Sequence, residues 1–291
     1  MKRKLCLVCI LGLLMALLAG CGGKRSGVVK LKDGDGDTLT YRVAELCKDA
    51  ATGLQVVYMA GEDGNEVFLV SKPRILVEAV TDDGNIAPLA VAAVRMEDGT
   101  KRLGCYFDMD EAPTRLSVTA ANADTEAVEV SLAGFTPDPA LAVTGEENAI
   151  KSETFYAENG GFRRDGLVTL ANGAEYRICE YGPFEGRMAV WIGGTETGAI
   201  TTGSFNGNLL VFGKAVAGGE TVECHTINMY TSFNTGGVDS QNSYLALLFE
   251  MDDVPDTLLI YPTDDEENAL TVPLNLLTLD ESAYPSLKYA D

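Results

Sequence analysis

Two segments constrain the fold more than any other feature of the chain. They are FDMDEAPTRLSVTAANADTEAVEVSL, beginning at Phe107, and FEMDDVPDTLLIYPTDDEENALTVPL, beginning at Phe249. They align without a gap at an offset of 142 residues. Phe107, Met109, Asp110, Pro113, Leu116, Ala127, Val130 and Leu132 each meet an identical residue in the second copy. Val118 meets Ile260, and Val128 meets Leu270. Several matches alternate with period two, as strand positions do. Earlier segments match in the same order: YRVAE from Tyr41 with YRICE from Tyr176, and VYMAG from Val57 with VWIGG from Val190. The pattern reads as an internal duplication. It predicts one domain over 27–135 and a second over 150–280. A linker over 136–149, with two prolines and an acidic end, joins them, and 281–291 form a tail.

Turn signals say what kind of domain is repeated. Asp63-Gly64, Asp98-Gly99, Asn172-Gly173 and Asn206-Gly207 each separate two β-rich runs. Such dipeptides suit two-residue hairpin turns, because both central positions take positive φ. No window sustains an amphipathic helix. Short strands punctuated this way argue for all-β sandwiches.

The N-terminus fixes a location. Lys2, Arg3 and Lys4 precede an apolar run from Leu5 to Ala19, 15 residues long. A membrane span needs roughly 20, so the run reads as a secretory signal over 1–20. Its exit, Leu18-Ala19-Gly20-Cys21, resembles the bacterial lipoprotein signal. That resemblance implies cleavage before Cys21 and a diacylglyceryl thioether on its sulfur. The membrane then becomes a partner through the lipid, residues 21–26 become a lipidated tether, and the body is extracytoplasmic.

Taken together, the lipobox, the tandem repeats and the shared F-x-M-D-x-x-P-x-x-L resemble immunoglobulin-like (telokin-like) domains of bacterial lipoproteins, most of unknown function. The fold class implied is all-β: two tandem immunoglobulin-like β-sandwich domains after a cleaved signal peptide. The resemblance supplies no site residue beyond Cys21.

Charge excludes one class of partner. The chain carries a formal −21, and its basic start is removed with the signal. Such a surface repels nucleic acid. Four cysteines remain beyond the lipobox: Cys47, Cys105, Cys179 and Cys224. Their spacings match no zinc pattern. They are either two within-domain disulfides, Cys47–Cys105 and Cys179–Cys224, or four buried thiols.

Few residues suggest chemistry. In LKDGDGDTLTYR, residues 31–42, Asp33, Asp35 and Asp37 alternate like the start of a calcium loop. Position six is Thr38 instead of glycine, and position twelve is Ala44 instead of glutamate, so the loop reads as a turn with calcium as the alternative. Alignment with LANGAEYR, residues 170–177, suggests a hairpin turn that is four residues longer in the first copy. The polar stretch 228–244 carries Tyr230, Phe233 and Tyr244 and has no counterpart in the first copy. These aromatics form the candidate ligand contact, set against a plain loop between strand ends. Trp191 aligns with Tyr58 and reads as core. His225 adjoins Cys224, but neighbouring strand residues face opposite ways. Asp108, Asp110 and Glu111 recur as Glu250, Asp252 and Asp253, which suits a shared strand-exit turn better than a catalytic pair. No catalytic motif and no cofactor are called for. The expectation is a non-catalytic cell-envelope binding or interaction module for an unknown glycan, protein or other envelope partner. The alternatives are a transporter's solute-binding lipoprotein and a glycan-active enzyme.

Overall fold

The computed structural model describes residues 27–144, 152–193, 211–231, 243–262 and 265–279. The signal segment, Cys21 and the tether lie outside them. The fold is nearly all β, with 57% strand and 3% helix. The first half supplies β1 (Val28–Lys32), β2 (Thr38–Lys48), β3 (Gln55–Gly61), β4 (Phe68–Leu69), β5 (Lys72–Pro73), β6 (Ile75–Thr81), β7 (Gly84–Ile86), β8 (Ala90–Arg95), β9 (Lys101–Phe107), β10 (Arg115–Ala120) and β11 (Val128–Ser131). The second half supplies β12 (Ser152–Ala157), β13 (Gly160–Phe162), β14 (Leu167–Leu170), β15 (Glu175–Phe184), β16 (Arg187–Gly193), β17 (Val211–Ala217), β18 (Glu220–Thr231), β19 (Ser243–Phe249), β20 (Thr257–Pro262) and β21 (Leu270–Pro273).

The strand order repeats. The first half runs β1-β2-β3-β9-β8 in one sheet and β11-β10-β6-β7 in another. The second runs β14-β15-β16-β19-β18 and continues through β17-β20-β21. Fine details recur as well. The β2–β3 ladder slips between Val43 and Glu45, and the β15–β16 ladder slips between the aligned Ile178 and Glu180. The Val43 N–H donates to Gly27 O at 2.8 Å, as Ile178 N–H does to Gly166 O at 2.8 Å. Leu132 N–H bonds Thr114 O at 2.8 Å, and Leu274 N–H bonds Asp256 O at 2.9 Å. One difference is local. In the second half, β18 pairs with both β17 and β19 and so joins the two sheets. The corresponding stretch of the first half is broken into β7 and β8 around Pro88, which has no N–H to give a ladder.

Two of the expected turns differ from the two-residue form. At Asp98-Gly99 and Asn172-Gly173 only the glycine has positive φ, 84° and 81°. Gly99 N–H bonds Met96 O at 3.1 Å and Met96 N–H bonds Thr100 O at 2.9 Å, the pattern of a three-residue turn closed by a glycine bulge. Two-residue turns with two positive φ values sit instead at Glu185-Gly186 and Gly218-Gly219. Asp63-Gly64 does have two positive φ values, 55° and 81°, whereas Asn206-Gly207 lies outside the described residues.

The acidic turn also needs correcting. Asp33 N–H bonds Asp37 O at 3.0 Å and Gly36 N–H bonds Asp33 O at 3.1 Å. Leu170, Gly173 and Ala174 make the same two bonds at 2.9 and 2.8 Å. The turns are therefore equally long. The extra residues lie in the arms, where the pairs Leu31↔Leu39 and Lys32↔Thr38 precede the turn.

Two apolar cores explain the repeated motif. Val57, Leu103, Phe107, Val77 and Leu116 pack between the two sheets of the first half. Val190, Phe249, Leu258 and Val272 pack inside the second, in a cluster that continues to Tyr58, Tyr106, Phe155 and Phe162 at the junction between the halves. Phe107 and Phe249 are both fully buried, and each such side chain contributes about 1.5–3 kcal/mol. The ladder also continues across the boundary, since β12 pairs with β8 and sets Phe155 opposite Ala92.

Candidate functional site

Asp33 serves the turn. Its carboxylate is 7% exposed, accepts the N–H groups of Asp35 and Asp37 at 3.1 and 2.8 Å, and faces Arg74 at 3.5 Å. Asp35 and Asp37 point to solvent. Among the described residues no three His, Cys, Asp or Glu side chains are placed to hold a metal ion.

Strand register separates both candidate cysteine pairs. Cys47 sits opposite Val56 and Cys105 opposite Val57, so they occupy opposite faces of the sheet. Cys179 packs with Trp191, whereas Cys224 lies against the cluster on the other face. Burial pushes the Cys105 thiol up to about 12 and, aided by Glu45 and Asp49, the Cys47 thiol up to about 11.

In the stretch 228–244, the ladder sets Tyr230 directly opposite Tyr244, and Phe233 lies outside the described residues. Trp191 is 3% exposed, and His225 is exposed. Asp108, Asp110 and Glu111, like Glu250, Asp252 and Asp253, are exposed just beyond β9 and β19.

The junction holds a polar clasp that no motif announces. Tyr58 lies across from Gly104, where a Cβ would stand 2.9 Å from its ring. Its hydroxyl is 3.2 Å from that of Tyr106, which donates to the Glu153 carboxylate. Arg164, in the β13–β14 turn, donates through Nε to the same carboxylate. Its terminal nitrogens reach Asp49 at 3.3 and 3.2 Å. The guanidinium stands 5.4 Å from the ring centres of both Tyr106 and Phe155. Burial opposes the charge on Arg164, but its hydrogen bond to Glu153 and the nearby carboxylates outweigh it and raise its pKa. Burial raises Tyr58 and Tyr106, keeping both as neutral hydroxyls. The phenols and the paired charges cross-link the halves.

The described end of the linker, 141–144, is tied down as well. Glu45, 7% exposed, accepts the N–H groups of Val143 and Thr144 at 2.7 and 3.0 Å and the Thr144 hydroxyl. Arg102 donates to Leu141 O at 3.3 Å.

Beside the junction runs an open groove. Lys72, Pro73, Leu76, Val91, Tyr156 and Leu170 line it. The β4–β5 hairpin forms its lip, held by buried Phe68, whose ring centre is 5.5 Å from that of Tyr156. At the tip Leu69 is 65% and Val70 83% exposed, and Leu76 nearby is 53% exposed. Val70 adopts φ 59°, a conformation that a β-branched residue rarely takes. A strained aliphatic residue thus stands in solvent at the edge of a groove. Sequence reading passed over it, although the uninterrupted run Val67-Phe68-Leu69-Val70 before Ser-Lys-Pro is too apolar for an ordinary turn.

No protein-family model matches the chain, and neither the curated proteins nor the solved structures compared with it give a match.

Proposed function

We propose that the protein is a lipid-anchored, extracytoplasmic binding module without catalytic activity, built from two tandem immunoglobulin-like sandwiches. The basic start, the short apolar run and the Leu-Ala-Gly-Cys exit support the anchor at Cys21. The recurring strand order and the recurring bulge support the tandem sandwiches. The junction clasp ties the β13–β14 turn to β12 and to the loop after β2.

One observation carries the choice of contact surface: the exposed Leu69–Val70 tip beside the groove. Backbone strain of this kind costs about 1–3 kcal/mol and concentrates where a conformation serves function. Aliphatic side chains with a few polar neighbours suit an envelope protein. A sugar ring would favour stacking on aromatic faces. Cosedimentation of the soluble fragment 27–291 with isolated envelopes tests the reading. Binding should fall with Val70→Asp and with prior protease treatment of the envelopes. Binding that survives Val70→Asp but is lost with Phe233→Ala would move the contact to the stretch 228–244.

A further inference from the structure

One pair of residues in the first half works against its own fold. Arg95 stands directly opposite Lys101 across the β8–β9 ladder, and like charges so placed are destabilising. The duplication shows that the fold does not need them. At the same place in the second half, the β18–β19 ladder sets Thr231 opposite Ser243, and Ser243 follows Lys101 by the repeat offset of 142. Nor is the pair neutralised. Every other described arginine has a carboxylate or carbonyl partner. Arg95 is exposed and has none among the described residues. The ammonium of Lys101 lies 5.9 Å from the centre of the Phe68 ring, in the hairpin that carries the exposed tip. Lys72, opposite Leu69 in that hairpin, is a further cation, also exposed.

Strand alternation places these cations on the groove. Val91, Ala93 and Arg95 share one face of β8, and Ser152, Thr154 and Tyr156 share the same face of β12 beside them. Val91, Thr154 and Tyr156 form the groove floor. Arg95 and Lys101 therefore stand at its Ser152 end, and Lys72 lines its wall. Glu158, also on the groove, lies past the opposite end of β12. In the turn after Arg95, Glu97 is exposed, and Asp98 is held by the N–H and hydroxyl of Thr100 at 2.8 and 2.6 Å. A chain with a formal charge of −21 thus keeps three cations beside Leu69 and Val70.

We propose that the groove takes an extended segment of an envelope protein in which aliphatic side chains adjoin two or more carboxylates. The aliphatic part lies against Leu69, Val70 and Leu76, and the carboxylates lie on Lys72, Arg95 and Lys101. The assignment rests on the contact surface proposed above and adds the chemistry of its partner. Carboxylates at this corner relieve the Arg95–Lys101 repulsion that the free protein bears. The acidic remainder of the surface repels segments that present their carboxylates elsewhere.

Cosedimentation with isolated envelopes compares fragment 27–291 with a Lys72→Glu, Arg95→Glu double variant. Affinity should fall at least about tenfold. The unfolding temperature should not fall, because Arg95→Glu sets a carboxylate opposite Lys101. A Lys72→Arg, Arg95→Lys variant keeps both charges and should bind like the parent. Parent-like binding by the reversed variant, while Val70→Asp still abolishes binding, would overturn the acidic partner and leave the contact surface standing. Parent-like binding by both would remove the contact surface itself. Loss of binding in the charge-keeping variant would also reject the proposal. So would binding that survives protease treatment of the envelopes and recurs on vesicles of phosphatidylglycerol and phosphatidylcholine, which would name a lipid surface instead. If the reversed chain does not fold, Lys72→Gln with Arg95→Gln takes its place, and parent-like binding by that variant rejects the proposal.

Discussion

Arg164 grips Asp49 across the boundary between the halves, its terminal nitrogens 3.3 and 3.2 Å from the two carboxylate oxygens. With Glu153 on its Nε, one cation joins β12, the β13–β14 turn and the loop after β2. All three side chains are at most 20% exposed. Removing the cation leaves two poorly solvated carboxylates side by side. Arg164→Ala should therefore destabilise the protein by about 3 kcal/mol. Arg164→Lys should recover little, because a single ammonium cannot span both carboxylates. Denaturant midpoints measure both.

The thiols give the protein an alkaline limit. Cys105 keeps its proton up to about pH 12 in the fold, against an ordinary thiol value of 9.0. Above pH 9 the unfolded chain releases that proton and the folded chain does not, so stability falls with rising pH. Each unit between the two values costs about 1.4 kcal/mol for such a thiol. The slope should shrink in Cys105→Ala, measured by urea unfolding at several pH values. Below pH 9 this contribution is constant.

Asp33 has a structural role that a metal titration separates from calcium binding. Asp33→Ala should cost about 1–3 kcal/mol, through the loss of an acceptor for two turn N–H groups. Thermal unfolding measures that loss. Calcium should leave the unfolding temperature of the parent protein unchanged, and a large calcium-induced rise would contradict the turn assignment.

Parts of this architecture are visible in the chain itself. Phe107 and Phe249 mark equivalent core strands because burial demands large apolar side chains at fixed alternation. Tyr41 and Tyr176 register the hairpins, since the bulge three residues on recurs with them. Turn type was less legible. Gly99 and Gly173 announce positive φ, but the residue before them does not reveal whether it shares that conformation. The clasp was hidden because Asp49 and Arg164 are far apart in sequence, and neither sits in a recurring pattern. The separation of Cys47 from Cys105 follows from ladder register, which spacing does not encode.

Val70 combines strain and exposure, and this makes it separable from the core. Val70→Gly relieves the positive φ and should stabilise the fold by about 1 kcal/mol. It also removes the aliphatic tip, so envelope binding should weaken while stability rises. A destabilised core would lower both, so this opposition distinguishes a contact residue from a structural one. Thermal unfolding and cosedimentation on the same samples provide the comparison.

Competitive binding tests most directly the proposed contact of the tip and groove with an envelope protein. Labelled fragment 27–291 is bound to isolated envelopes and displaced by unlabelled parent, Val70→Gly or Leu69→Asp fragments. The account predicts displacement by the parent and much weaker displacement by both tip variants. Equal displacement by all three fragments would contradict it.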